Sequence, residues 1–178
     1  MKDTGSPYAE AHRIAALHQL RPLPVEGGLF RQTWAGKPDG AGRPAGTAIT
    51  VLLTSAPGDF SALHRLPTDE VWHFYQGDPL ELLLLAPDGT GHRLRLGGAE
   101  GAVQHVVEAG TWMGARVAPG GVWSLFGTTM APGFLPTDYE GGDAGELSAS
   151  YPEHAELVRQ LCRAGASLTM TESDDAHA

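Results

Sequence analysis

Between Thr47 and Thr129 the chain carries the short apolar or β-branched runs TAITVLLT, EVWHFYQ, PLELLLLA, HRLRL, AVQHVV, WMGARVA and VWSLFGTT, with no segment between them long enough to be a helix. Punctuation falls at Pro57-Gly58, Gly77-Asp78-Pro79, Pro87-Asp88-Gly89, Gly97-Gly98, Glu108 to Gly110 and Pro119-Gly120-Gly121. These are turn residues, because Gly accepts positive φ, Pro fixes φ and Asp hydrogen-bonds its own backbone. Parallel strands need crossovers of a dozen or more residues, and there is no room for them. Short strands interrupted this regularly predict an all-β, single-domain fold of sandwich or jelly-roll type.

The flanks read differently. Ser6 and Pro7 look like a helix start, with Ile14, Leu17 and Leu20 on one stripe before Pro22 and Pro24 end it. Glu26-Gly27-Gly28 precedes a strand-like LFRQTW, and the Gly/Pro-rich loop 36–46 is expected to be exposed and mobile. From Pro152 to about Arg163 a second helix places Leu157, Val158 and Leu161 on one side, and the acidic ending TESDDAHA is expected to be disordered. The organisation that follows is a flexible N-terminus and helix start at 1–11, one domain at 12–163 and a tail at 164–178. A chain of 178 residues buries a core without disulfides. Its single cysteine, Cys162, leaves no internal disulfide framework and reads as a small half-buried apolar residue.

Twelve Lys and Arg against 21 Asp and Glu give a net charge of −9. Without a basic run or arginine-aromatic interleaving, neither a nucleic-acid nor an anionic-membrane surface is expected, and a small-molecule ligand or a protein partner is. The N-terminus lacks a signal-type apolar segment, and Leu82 to Ala86 is far too short to span a bilayer, so the expected location is cytoplasmic.

Chemistry concentrates in GDFSALHRLPTDEVWHFYQG, residues 58–77. Gly58 is followed after five residues by His64, Glu70 comes six positions later, and Gly77 closes the pattern. This spacing resembles the first signature of the cupin superfamily, in which two histidines and a glutamate are three of four metal ligands. Leu66 occupies the second histidine's place. In the second cupin signature, P-x-G-x-x-H supplies the fourth ligand; here Glu108, Gly110 and Met113 stand at those positions.

The likeness runs over roughly residues 12 to 163, through Glu26-Gly27-Gly28, Thr47-Ala48-Ile49, Phe60 to Leu66, Asp69 to Tyr75, Gly77-Asp78-Pro79 and Ala131-Pro132-Gly133-Phe134. It is similar to a branch long catalogued as a domain of unknown function and grouped with sugar-epimerase-like cupins. The resemblance implies a double-stranded β-helix, the cupin jelly-roll barrel, with short N- and C-terminal helices. It also implies a homodimer packing sheet against sheet, with Val71 and Tyr75 suited to the contact. In that branch an apolar residue commonly replaces the second histidine, whereas many relatives carry glutamine where this chain has Met113.

His64 and Glu70 are the expected catalytic pair, since a carboxylate beside an imidazole holds one tautomer and tunes it for acid/base work. Substrate contacts are expected from Trp72, Phe74, Trp112 and Met113, which would favour an apolar or planar ligand. Arg31 and Thr33 could face the barrel together, Arg31 to hold a carboxylate or phosphate, or could lie exposed. Glu26 reads as an anchor of its turn, with Gly27 and Gly28 supplying unusual dihedrals. No cofactor is expected. A divalent metal, if held, would take His64, Glu70 and His73, but strand alternation sends His73 away with Val71 and Tyr75 unless a bulge intervenes. The functional expectation is a metal-independent isomerase or epimerase. A binding module for a small hydrophobic ligand and a metal-dependent dioxygenase or lyase are the alternatives.

Overall fold

The computed structural model describes residues 5–171. Helix α1 (Ala9–His18) leads into strands β1 (Arg21–Pro22), β2 (Leu29–Ala35), β3 (Thr47–Thr54), β4 (Ser61–Arg65) and β5 (Glu70–Gly77). Then follow β6 (Leu80–Leu85), β7 (Gly91–Leu96), β8 (Gln104–Val107), β9 (Trp112–Val117) and β10 (Trp123–Met130). The chain ends with β11 (Glu140–Gly141) and helices α2 (Ala144–Ser150) and α3 (Ala155–Gln160). A six-stranded sheet in the order β1-β2-β3-β10-β5-β8 faces a five-stranded sheet in the order β11-β4-β9-β6-β7. Every strand pairing is antiparallel. This is the jelly roll that the turn spacing predicts.

Alternation decides what lies between the sheets. Val51 and Leu53 of β3, Trp72 of β5, Leu82 and Leu84 of β6 and Phe126 of β10 are buried in the main core. Trp72 stacks on Phe126 with ring centroids 5.1 Å apart and planes within 5°. Two patches of outward apolar residues are covered by helices. Ala11 and Ile14 of α1 close over Leu52 and Leu125 of the larger sheet. Leu147 of α2 and Leu157 and Val158 of α3 close over Leu63, Leu83 and Leu85 of the smaller one. This is why β6 reads as an unbroken aliphatic run: both of its faces are buried.

Several boundaries differ from the sequence expectation. The helix expected from Pro152 to about Arg163 is a 3-10 turn (Pro152–His154) followed by α3, which ends at Gln160, and α2 before it is absent from that expectation; Pro152, which lacks an N–H, separates α2 from α3. The segment 36–46 is exposed but pinned: Arg43 donates to Asp138 at 2.6 and 2.9 Å and to the Gly133 carbonyl at 2.9 Å. Within the region expected as a disordered tail, Gly141 N–H donates to the Leu168 carbonyl at 2.7 Å, and Met170 is buried. Residues 172–178, which carry the rest of that expectation, and residues 1–4 lie outside the described residues.

Arg31 and Thr33 fall on the outer face of β2. Phe30, only 7% exposed and opposite Val51, fixes the register, so alternation points Phe30 and Gln32 inward and Arg31 and Thr33 out. The register makes an expectation for urea unfolding. Leu82→Ala, at a site with no exposure, should cost about 2–5 kcal/mol, whereas Arg31→Ala should stay within about 0.5 kcal/mol. Equal losses would place Arg31 in the interior.

Candidate functional site

At one end of the sandwich the apolar layer opens into a cavity of about 60 Å³ between the sheets. Leu23, Phe30, Ile49, Leu66, Met130 and Phe134 supply most of its wall, and Met170 contributes from the C-terminal segment. The polar groups that reach it are Glu26, Gln32, Thr47, His64, Glu70, Thr128 and Tyr139.

His64 sits on β4, 2% exposed. Its Nδ1 lies 2.7 Å from the Ala62 carbonyl oxygen. A carbonyl can only accept, so Nδ1 carries the proton, and in the neutral ring Nε2 is left with a lone pair. Nε2 is 3.9 Å from Glu26 Oε2, beyond hydrogen-bond reach. The Tyr139 ring stacks on the imidazole at 5.1 Å and 17°, fixing its plane from one side. Burial, reinforced by the charge of Glu26, holds the Tyr139 phenol well above its ordinary value, so it remains a neutral hydroxyl.

Glu26 reaches the site from the turn before β2. In that turn Val25, Gly27 and Gly28 all take positive φ, of 64°, 103° and 82°. At Gly27 a side chain would run into the Phe60 carbonyl, 2.7 Å from where its Cβ would stand, so glycine is required there. Ser61 Oγ–H donates to Glu26 Oε1 at 2.6 Å, which leaves Oε2 toward His64. The turn is tied down from the C-terminal side, where the Arg163 guanidinium donates to the carbonyls of Gly58, Phe60 and Glu26.

Glu70 opens β5 and is 6% exposed. Trp72, two residues on and therefore on the same face, donates its indole N–H to Glu70 Oε2 at 2.9 Å, and the Thr128 hydroxyl is a second donor. Burial dominates nonetheless and raises the carboxyl from 4.5 to about 7, with His64 opposing the shift and the negative charge of Glu26 adding to it. Near neutral pH, Glu70 therefore exchanges readily between acid and carboxylate.

Of the residues expected from sequence, His64 and Glu70 meet at this cavity. Trp72, Phe74 and Met113 lie between the sheets but pack in the adjoining apolar layer rather than forming the cavity wall. Trp112 is elsewhere. Its register partner Leu85 faces outward, so Trp112 packs with the cluster under α2 and α3, where the Arg65 guanidinium covers it at 4.6 Å. His73 is on the outer face as alternation requires, bonded to Thr129 and Gln104 and stacked on Tyr75. Sequence reasoning missed Glu26 as a cavity residue, along with Tyr139, Gln32 and Thr128. The Glu-Gly-Gly turn is the signal that could have flagged Glu26.

Two of the four positions that metal-binding cupins use for ligands, Leu66 and Met113, hold no hard donor here. Among the described residues, no group of three or more His, Cys, Asp and Glu side chains is placed to hold a metal ion. The donor set does not fit the four-ligand pattern, and no step below is routed through a metal.

The raised pKa of Glu70 makes stability depend on pH. Between pH 4.5 and about 7 the folded protein retains a proton that the unfolded chain has released, so unfolding free energy falls as pH rises through that window. At about 1.4 kcal/mol per unit, the full loss is on the order of 3 kcal/mol above the window. Glu70→Gln keeps an acceptor for Trp72 and cannot ionise. Denaturation across pH should show the variant more stable than wild type at pH 8 and no longer so at pH 4; parallel curves would contradict a buried, shifted carboxyl.

The family model described as Cupin superfamily (DUF985) matches residues 12–141. A crystal structure of a protein from Shewanella oneidensis is similar over 86% of this chain and 97% of that one, at 30% identity and a TM-score of 0.77. A hypothetical protein from Leishmania major is similar over 85% and 98%, at 28% identity and a TM-score of 0.75. Oxalate decarboxylase from Bacillus subtilis shares the fold alone, with 12% identity, a TM-score of 0.53 and coverage of 85% of this chain and 39% of that one. The family match spans most of the chain, and the two-sheet fold agrees with it: this protein belongs to the cupin superfamily.

Proposed function

We propose that the protein is an acid/base enzyme of the isomerase or lyase kind, acting without a metal on a small molecule held between the sheets. One observation carries the reading: His64 Nε2 and the Glu70 carboxyl, a base with its tautomer set and a buried acid that titrates near 7, open onto the same cavity. A base and a buried acid on one cavity can serve the two halves of a proton transfer.

The geometry supports the following sequence. With a carbonyl compound in the cavity, Nε2 takes a proton from the carbon next to the carbonyl, and protonated Glu70 gives its proton to the carbonyl oxygen, leaving a neutral enol, an imidazolium and a carboxylate. The imidazolium donates through Nδ1 to the Ala62 carbonyl and faces Glu26 Oε2, a carboxylate that stabilises its positive charge. For a 2-hydroxy carbonyl compound, the imidazolium then gives its proton to the former carbonyl carbon while the Glu70 carboxylate takes the proton of the neighbouring hydroxyl, which becomes the new carbonyl; this gives the isomer and restores both groups. Trp72 and Ser61 act as positioning residues, one holding Glu70 and the other Glu26.

The predominance of Phe30, Ile49, Leu66, Met130 and Phe134 around the cavity supports a second reading, retention of a small apolar ligand without chemistry. Deuterium uptake from D₂O into a panel of small ketones and aldehydes, followed by proton NMR, separates the two. The acid/base reading expects exchange that falls by about 10²–10⁴-fold in His64→Ala and Glu70→Gln. It also expects exchange to decline as pH rises through about 7, where Glu70 loses the proton it must give. Ligand binding with no exchange, and only a modest loss of affinity in His64→Ala, would leave the binding module.

A further inference from the structure

The charged inventory of the cavity is one-sided, while Gln32, Thr47, Thr128 and Tyr139 add neutral groups that can donate. Glu26 presents a carboxylate oxygen, His64 presents a lone pair because its proton is engaged by Ala62, and Glu70 is the second carboxyl. Among the described residues lining the cavity, none is Lys or Arg. The Arg163 guanidinium is not part of the wall and donates to three backbone carbonyls. An anionic group placed here would meet two carboxyls and no cation in an enclosed, low-dielectric space, where an uncompensated charge is most costly.

One gap is shaped for a donor. His64, 98% buried by its 2% exposure, aims Nε2 into the cavity with no hydrogen bond, 3.9 Å from Glu26 Oε2. The two acceptors are too far apart to bond each other, but a donor about 2.8 Å from both would subtend an angle of roughly 90° between them, within the bending range of two N–H bonds on one tetrahedral nitrogen. An ammonium can donate to both at once and carries the charge that Glu26 lacks a partner for inside the cavity.

We propose that this site selects a small organic cation, a protonated primary or secondary amine whose nitrogen bridges His64 Nε2 and Glu26 Oε2 and whose apolar body lies against Phe30, Leu66 and Phe134. The proposal rests on the ligand-holding reading of this cavity, because an ammonium on Nε2 occupies the lone pair that proton abstraction would need. A cavity of about 60 Å³ sets the body at roughly four to six non-hydrogen atoms, taking about 10–15 Å³ per water-sized group. Sugar nucleotides are excluded on both size and charge, and small carboxylates on charge alone.

Three shape-matched probes test this: isobutylamine, isobutanol and isobutyrate, titrated at pH 8 into ¹⁵N-labelled protein while the Trp72 indole and the amides of β4 and β5 are followed. The expected result is saturation by the amine at a concentration about tenfold lower than the alcohol, the worth of one charge-assisted hydrogen bond, with no cavity response to the carboxylate. Glu26→Gln, which keeps an acceptor for Ser61, should weaken the amine about tenfold and leave the alcohol unchanged. If that variant fails to fold, Glu70→Gln provides the same contrast through loss of its negative charge. Equal binding of isobutyrate, no cavity shift with the amine at about 50 mM, or amine binding unchanged in both variants would overturn the proposal. Amine binding with no proton exchange on any amino ketone would sink the catalytic reading alone, and exchange on neutral carbonyls with no preference for amines would sink this one alone.

Discussion

The structure depends on one shared apolar layer between two twisted sheets. Leu82 and Leu84 from one side meet Trp72, Phe126, Val51 and Leu53 from the other, and burying both inner faces fixes the register of every strand, because a slip by one residue would exchange the inner and outer faces. The register then delivers the chemistry. Glu70 is inward because Trp72 is inward, and Gln32 is inward because Phe30 is. The polar end of the barrel is a by-product of the layer that closes the apolar end.

Where that layer stops, a carboxyl and an imidazole are buried with little water to help them. The costs are met locally: the Ala62 carbonyl accepts the Nδ1 proton, Trp72 and Thr128 donate to Glu70, and Ser61 donates to Glu26. None of these donors is a cation, so Glu70 is left poised between charge states rather than locked as a carboxylate. Among the described residues lining this end, an apolar wall surrounds two carboxyls and no cation.

Much of the fold was legible because period-two runs and turn residues act locally. TAITVLLT is β3 without a residue's error, and the expectation that Glu70, Trp72 and Phe74 share the inner face, with His73 opposite, follows from the pleat alone. Arg31 and Thr33 were open to either face because LFRQTW offers no clean alternation, and Trp34, 49% exposed, carries no inward pull; only the pairing of Phe30 with Val51 decides. Trp112 misleads for a different reason. The outer face of the smaller sheet is also apolar, since α2 and α3 cover it, so hydrophobicity did not distinguish inside from outside. Glu26 and Tyr139 are brought to His64 by a positive-φ turn and by the chain after a 3-10 segment (Pro136–Asp138), contacts of long sequence separation that no local pattern encodes. Met170 lay beyond the last helix, where composition suggested only a tail.

The account's central claim is that His64 holds its proton on Nδ1 and opens Nε2 to the cavity beside an acid that titrates near neutrality. Long-range ¹H–¹⁵N correlation spectra of the histidine rings, with ¹³C titration of the glutamate carboxyls, read both groups directly. The account predicts an Nδ1-protonated His64 in the neutral ring and a Glu70 carboxyl titrating near pH 7. A proton on Nε2, with Glu70 titrating near 4.5 like an open carboxylate, would contradict it.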